Sequence, residues 1–397
     1  MKLYLLPTLL CLLIIALTDV WIYYKVKTKL KTTLSVTLYW LPTALFYALF
    51  IGGYFSSADV PDHRSMYVVL WLLWLFLVVY FPKLFYVLFD LIGLFVGRMA
   101  RRAGRVCTRI GLFVAVGVCV LFLYGAFIGR SAVHTEEVEI SSSRLPRELD
   151  GLRIVQFSDA HIGNWGTNYR VLSEAVSLIN NARPDIIVFT GDFVNIFATE
   201  ITPEIKKLFR ALDTPRYGKY AIMGNHDYGD YYHWKTPEDW SRNLAAMQEG
   251  IRDCGFDLLL NESRDIVVGD TSFLLIGVEN TGRPPFRQYG NLSQSIAGAD
   301  TMQYTILLSH DASHWRKEVL GHPFIDLTLS GHTHAAQCGI ARGNIHWSPS
   351  SWIYDEWEGL YTHSSQSLYV NRGLGYVGIP LRIGMSPEIT CITLRRK

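Results

Sequence analysis

The stretch Ile154-Val-Gln-Phe-Ser-Asp159-Ala-His161-Ile-Gly163 is a short apolar run that ends on a carboxylate and an imidazole two residues apart. In extended backbone, residues i and i+2 point to the same side, so Asp159 and His161 can face one point. A strand end presents two ligands to a metal ion in this way. Asp-x-His alone is common. It gains weight because later apolar runs also end on metal-ligand residue types: Gly191-Asp192-Phe-Val-Asn195, Gly224-Asn225-His226-Asp227, His310-Asp311 and Gly331-His332-Thr333-His334.

Around these ends the chain alternates. Runs at 152–158, 185–190, 219–223, 272–278, 304–309 and 327–330 read as buried strands. Leu172, Ala175, Val176 and Ile179 recur at helical spacing before Pro184, and Trp240, Leu244, Met247 and Ile251 form a similar stripe after Pro237. Both are core-facing packing. Runs at 367–370 and 389–394 add strands, so the expected fold is a mixed α/β two-sheet sandwich. In such sheets, sites collect at the carboxyl ends of strands.

The first third differs in kind. Hydrophobic residues make up 50% of the 397, and four long apolar segments occupy 3–24, 34–55, 66–96 and 110–128. Each can cross a hydrocarbon core, which takes roughly 20 helical residues. The third is overlong and carries Pro82 and Lys83, so a tilt or kink is expected. The cationic cluster follows the first segment instead of preceding it, which argues against a cleaved signal peptide. Lys25, Lys27, Lys29 and Lys31 fill one loop, and Arg98, Arg101, Arg102, Arg105 and Arg109 another. The loop between, around Asp59, Asp62, His63 and Arg64, is nearly neutral.

The positive-inside bias then puts both basic loops in the cytoplasm and everything after Ile128 outside. Asp19 and Asp90, near the cytoplasmic segment ends, read as interfacial charges rather than as a proton relay. The expected organisation is a transmembrane region at 1–129, a polar linker at 130–150 and an extracytoplasmic domain at 151–397. Such a chain is an integral, multi-pass protein of the plasma (inner) membrane, with the lipid bilayer as its first partner.

A net charge of +2 with no broad basic face argues against nucleic acid as a partner. Cys11, Cys107, Cys119, Cys254, Cys338 and Cys391 show no zinc-ribbon spacing and read as lone thiols.

The ordered strand-end motifs from 152 to 334 resemble those of the calcineurin-like metallophosphoesterase superfamily. Asn371-Arg372-Gly373-Leu374-Gly375 and Pro387-Glu388-Ile389 look like its membrane-tethered bacterial branch. The resemblance implies a four-layer α/β/β/α sandwich and two divalent metal ions. Asp159, His161 and His334 would hold the first ion, Asn225, His310 and His332 the second, and Asp192 would bridge them. A mixed oxygen and nitrogen set without thiolate suits manganese, zinc or iron. The implied reaction is in-line attack on a phosphate ester or pyrophosphate by a hydroxide shared between the ions.

Within that resemblance, His226 stabilises charge on the phosphoryl oxygen or protonates the leaving group. The family commonly carries a second Asp where this chain has Asn195. The amide of Asn195 is expected to orient His226 without charge, leaving His226 as a neutral donor or Asp227 to compensate in part.

The tether makes a lipid phosphate or diphosphate an attractive substrate. Two other classes stay open: a metal-binding receptor or sensor that keeps the ligands without turnover, and a transporter or lipid-handling protein with an accessory domain, which would require activity from residues 1–129 alone. The segment with Trp347, Trp352, Tyr354, Trp357 and Tyr361 reads either as a lip touching membrane or as packing on the sheet, with packing preferred. His314, His322, His346 and His363 have no comparable context and read as ordinary.

Overall fold

The computed structural model describes residues 5–55, 63–343 and 345–397, so the neutral loop at Asp59 and Asp62 lies outside the described residues. The chain divides into two compact units, 1–126 and 127–397.

The first unit is helical: α1 (Leu5–Val26), α2 (Thr33–Phe55), α3 (His63–Gly97) and α4 (Arg101–Phe127). Each is long and apolar enough to cross a membrane, and the chain is an integral membrane protein. Pro82 falls inside α3. Ile15, Phe46, Phe50, Phe76 and Tyr80 pack the first three helices together. The two acidic residues, expected as interfacial charges, are buried. Both are enclosed by helices, because each finds donors there. Asp19 accepts from Thr43 Oγ1 at 2.6 Å, Tyr80 OH at 2.9 Å and Lys83 Nζ at 2.6 Å. Asp90 accepts from Trp21 Nε1 at 2.9 Å and Thr108 Oγ1 at 3.0 Å, and pairs with Lys25 at 2.8 Å. The exchange is reciprocal: α1 gives Asp19 and Lys25, and α3 gives Lys83 and Asp90.

The second unit begins with β1 (His134–Ser142), β2 (Arg153–Phe157), β3 (Ile186–Phe189), β4 (Lys219–Ala221) and β5 (Asp257–Leu258). Then follow β6 (Glu262–Val268), β7 (Thr271–Gly277), β8 (Tyr304–Asp311), β9 (Leu327–Gly331), β10 (Ile340–Arg342), β11 (Ile345–Trp347), β12 (Gly359–His363), β13 (Gln366–Val370) and β14 (Glu388–Arg396). One six-stranded sheet runs β1-β14-β2-β3-β4-β5 and the other β12-β13-β9-β8-β7-β6, with β10 and β11 as a separate hairpin.

The period of two along each strand builds the layers. Val155, Phe157, Ile187 and Phe189 face α5 (Arg170–Asn181), α6 (Pro203–Arg210) and α7 (Pro237–Asp253). Ile154, Ile186 and Val188 face the other way, against Phe273, Leu275, Ile306, Leu308 and Leu327 of the second sheet. Each such side chain, fully buried, contributes about 1.5–3 kcal/mol, so slipping a strand by one residue is prohibited. Leu274, Ile276, Leu307, Leu368 and Val370 form the outer face of the second sheet. Among the described residues that face is covered by short helices, including α8 (Leu292–Ser295) and α9 (Ser313–Lys317), and by the turns beside them. The result is the expected α/β/β/α order with a thin fourth layer.

The stretch expected as a linker at 130–150 holds β1, which pairs in parallel with β14 from His134↔Glu388 to Ser142↔Arg396. Its partner is the last strand of the chain, and only Ile140 of its side chains is fully buried. An edge strand with one buried side chain gives almost no alternation to read. The strands β2, β3 and β4 run parallel, as do β7, β8, β9 and β13. Their carboxyl ends carry the residues singled out above.

Replacing Asp19 by Ala strands Lys83 among the helices, at a cost of about 3–5 kcal/mol. Thermal unfolding of the solubilised protein should show a lower midpoint for Asp19→Ala, with partial recovery in Asp19→Ala/Lys83→Ala. A double variant that melts below either single one would contradict the pairing.

Candidate metal centre

Four strand ends, β2, β3, β8 and β9, and the loop after β4 bring the predicted side chains together. Ligand atoms of Asp159, His161 and His334 lie within 4.8 Å of one another, as do those of Asp192, His310 and His332. Asp192 stands between the two groups: its Oδ2 is 3.1 Å from His310 Nε2 and 3.7 Å from His161 Nε2. Asn225 Oδ1 is 3.2 Å from His310 Nε2, so the amide joins the second group. Tyr231, unmarked by the sequence, fixes that amide: its hydroxyl accepts from Asn225 Nδ2 at 2.6 Å. Its ring also stacks on His226 at 4.4 Å.

The backbone here is strained. Asp159, His161, Asp192, His332 and His334 all have φ between 41° and 71°, the left-handed region that L-residues avoid. The strain is sustained by hydrogen bonds: Asp159 N–H donates to Gly191 O at 2.8 Å, His332 N–H to Asp159 Oδ2 at 3.0 Å and His226 N–H to Asp192 Oδ1 at 2.8 Å. Gly224 leaves room for this crowding, since a Cβ there would lie 2.2 Å from Asp192 Oδ1.

Two buried carboxylates staple the loops, and they change the reading of Asn195. Asp227 accepts four backbone N–H groups: Asp192 at 2.9 Å, Phe193 at 2.8 Å, Val194 at 3.1 Å and Gly224 at 2.9 Å. It is spent on these donors and does not compensate at His226. Burial and the neighbouring Asp192 push it up to about 7, against the pull of the Gly224 and Val194 N–H groups. Glu200 accepts the backbone N–H groups of Gly163, Asn195, Ile196 and Phe197.

Glu200 also draws in the side chain of Asn195, whose Nδ2 donates to it at 3.2 Å and to Asn164 Oδ1 at 3.0 Å. The expected contact from this amide to His226 is therefore replaced. The backbone carbonyl of Asn195 accepts from His226 Nδ1 at 2.7 Å. A carbonyl only accepts, so Nδ1 carries the proton. The neutral ring then offers a lone pair at Nε2, not a proton, and the neutral-donor reading of His226 is corrected: it donates there only as imidazolium. Arg382 was also missed. It is fully buried, donating to Gly373 O at 3.1 Å and Gly375 O at 2.6 Å, with Nη2 3.2 Å from His334 Nδ1.

The protonation states suit a cation. Burial alone would raise Asp159, but His334 and His310 hold it well below the ordinary carboxylate range. Burial likewise opposes ionisation of Asp192, and His310 and His226 overcome it. Burial pushes His161 and His332 down, toward neutral rings. His310 moves the other way, to about 10, because the Asp192 charge outweighs the burial that would lower it. Ionised carboxylates and neutral imidazoles are what a divalent ion requires, and the His310 proton is the one it displaces. His161 Nε2 and His334 Nε2 face each other at 3.2 Å, and His161 Nδ1 is buried without a hydrogen-bond partner. Rings so placed direct their nitrogens at one point. The donor set fits a divalent metal.

A pocket of about 310 Å³ opens over Asp192, Asn225, His226, His332 and His334. The aromatic segment beside it divides between the two readings. Trp357 is 4% exposed and packs with Ala335 and Met385, whereas Trp352 is 76% exposed.

Residues 152–336 match the family described as "Calcineurin-like phosphoesterase". Residues 3–130 match "Probable Calcineurin-like phosphoesterase, transmembrane domain". The chain is 34% identical over 277 residues to an uncharacterized metallophosphoesterase of Bacillus subtilis, covering 68% of this chain and 89% of that one. A second uncharacterized metallophosphoesterase, from Campylobacter jejuni, is 26% identical over 407 residues and 97% of both chains. A UDP-2,3-diacylglucosamine pyrophosphatase of Chlamydia muridarum is 29% identical over 282 residues, 58% of this chain and 81% of its own.

Asn195→Ala keeps the carbonyl that holds His226, so its kcat/KM for a phosphate ester should stay within about fivefold, while His226→Ala loses ~100-fold or more. Equal losses in the two variants would show that the Asn195 side chain matters after all.

Proposed function

We propose that this chain, which belongs to the calcineurin-like metallophosphoesterases, is a membrane-anchored phosphohydrolase with a dinuclear centre. Asp159, His161 and His334 hold one divalent ion, Asn225, His310 and His332 hold a second, and Asp192 serves both. The observation that carries this is the position of Asp192, a buried carboxylate within reach of imidazoles from both groups. Manganese, zinc or ferrous iron suits these donors. Such a pair of ions, when bound, supplies a water that is nucleophilic at neutral pH and a clamp on the phosphate oxygens for in-line displacement.

The chain does the rest. Asn225, turned by Tyr231, keeps its carbonyl oxygen inward. His226, anchored through Nδ1, presents Nε2 to the site, and a proton carried there by the imidazolium form can pass to the departing oxygen. The left-handed backbone at five of these residues keeps the donors converged before substrate arrives.

The substrate is read as a lipid-linked phosphate or diphosphate, and the domain as extracytoplasmic. The basic loops at Lys25–Lys31 and Arg98–Arg109 support the orientation. The lipid preference draws on an apolar lobe formed by the β10–β11 hairpin and the turn after it. Ile340, Ile345, Trp347, Trp352 and Ile353 are exposed on it, and Ile353 also lines the pocket. Indole rings favour the membrane interface. The substrate named for the Chlamydia relative, an acylated nucleotide sugar, is of the same lipid-linked class.

Purified full-length protein loaded with Mn²⁺ or Zn²⁺ should hydrolyse aryl phosphate esters. Chelator should abolish the activity, metal should restore it, and Asp192→Ala should lower it by at least about 1,000-fold. Absence of metal-dependent hydrolysis of any phosphate ester or diphosphate overturns the proposal. Trp352→Ser/Ile353→Ser should slow cleavage of a vesicle-borne diphosphate lipid more than that of a soluble ester. An equal effect on both would remove the lobe from the account.

A further inference from the structure

We infer that the cavity beside the candidate centre receives a second anionic group of the substrate, held by Arg283 and Lys317, so that diphosphate esters are preferred to single phosphate esters. This rests on the phosphohydrolase reading above and specifies its substrate.

The cavity measures about 580 Å³, nearly twice the pocket over the centre, and the two share Phe286 and Tyr354 as lining. Both shared residues touch a candidate ligand. The Phe286 ring stands 5.0 Å from the His332 ring, and Tyr354 OH is 2.9 Å from His332 Nε2. A group attached to a phosphate beside His332 thus has its next space past these two rings.

The loop that carries Arg283 is fixed to the centre. Its backbone N–H donates to Asp311 Oδ2 at 3.2 Å, and the same oxygen is 3.7 Å from His332 Nε2. Gly282 permits that approach, since a Cβ there would lie 1.9 Å from Asp311 Oδ2.

The charges around the cavity are unevenly matched. Arg316 pairs with Glu356 at 2.6 Å and with Asp355 at 3.7 Å, which uses both acids of the lining. Among the described residues, Arg283 and Lys317 enter no ion pair. Lys317 Nζ donates only to Gln288 Oε1 at 3.2 Å, a neutral partner. Arg283 gives one N–H to the Ile353 carbonyl and lies 5.8 Å over the Tyr354 ring. Arginine has five N–H donors in a fork that matches phosphate, so it keeps donors for an anion. The lining carries three cations, Arg283, Arg316 and Lys317, against two acids, and a concave wall with this positive surplus concentrates anions there. A single phosphate ester would leave Arg283 and Lys317 unused, whereas a diphosphate would carry a second anionic group toward them.

The reaction balances as hydrolysis. Water oxygen bonds to the attacked phosphorus, the P–O–P bond breaks, and the proton goes to the departing phosphate monoester. That leaving group carries the charge that Arg283 and Lys317 would meet.

The test compares bis-nitrophenyl phosphate with the corresponding bis-nitrophenyl diphosphate, using the full-length, metal-loaded chain. The unsubstituted protein should have the higher kcat/KM for the diphosphate. Arg283→Ala and Lys317→Ala should each lower the diphosphate-to-phosphate ratio of kcat/KM by about tenfold, the size of one charged hydrogen bond. Arg283→Lys should recover part of the ratio. Among the described residues the Lys317 ammonium donates a hydrogen bond to Gln288 and enters no ion pair, so Lys317→Ala stands as the test even if Arg283→Ala disturbs the loop at Ile353. An unchanged ratio in both alanine variants, or a wild-type preference for the single phosphate, overturns the inference and leaves the phosphohydrolase reading intact. If the wild type cleaves neither compound this inference falls, and if it cleaves no other phosphate ester or diphosphate either, the phosphohydrolase reading falls with it.

Discussion

A carboxylate with almost no access to water, Asp192, is the constraint on which the domain turns. It lies 3.1 Å from one imidazole and 3.7 Å from another, with the Asp227 carboxylate bound to its own backbone N–H. Burying such a charge is tolerable only when it is paired or coordinates a cation. The neighbouring imidazole of His310, which the Asp192 charge raises to about 10 against the opposing effect of burial, is the protein's own counter-charge for it. The glycine before Asn225, the left-handed turns and the two stapling carboxylates all serve to hold this one group where neighbours on two sheets reach it.

The same constraint explains why site residues depart from local backbone preference. Left-handed conformations at non-glycine residues cost roughly 1–2 kcal/mol each. Here they recur at Asp159, His161, Asp192, His332 and His334. Core packing on both faces of the first sheet and between the sheets supplies the stability that offsets this. The membrane unit solves a related problem differently. Its buried carboxylates, Asp19 and Asp90, are satisfied by Lys83 and Lys25 with hydroxyl and indole donors, so no external ion is required.

Much of this was legible in the chain because period and position carry it. Apolar runs ending on Asp, Asn and His mark the strands and the side chains that converge, and the long apolar segments mark the helices. What stayed hidden depends on distant partners. Strand β1 is recognisable only through β14, at the far end of the chain. The role of Asn195 follows from Glu200, whose carboxylate captures its amide and leaves the carbonyl to His226. Glu200 in Ala-Thr-Glu and Arg382 in Pro-Leu-Arg carry no local sign that either is buried. Backbone conformation at the site residues is nearly silent in sequence, since Asp and His enter positive φ more often than most non-glycine residues but still only in a small minority of cases.

The most direct measurement is elemental analysis of the purified full-length chain alongside Asp192→Ala. Two equivalents of divalent metal per wild-type chain, with most of both lost in the variant, is the result expected if one carboxylate serves two ions. A single equivalent that Asp192→Ala retains would contradict a shared centre.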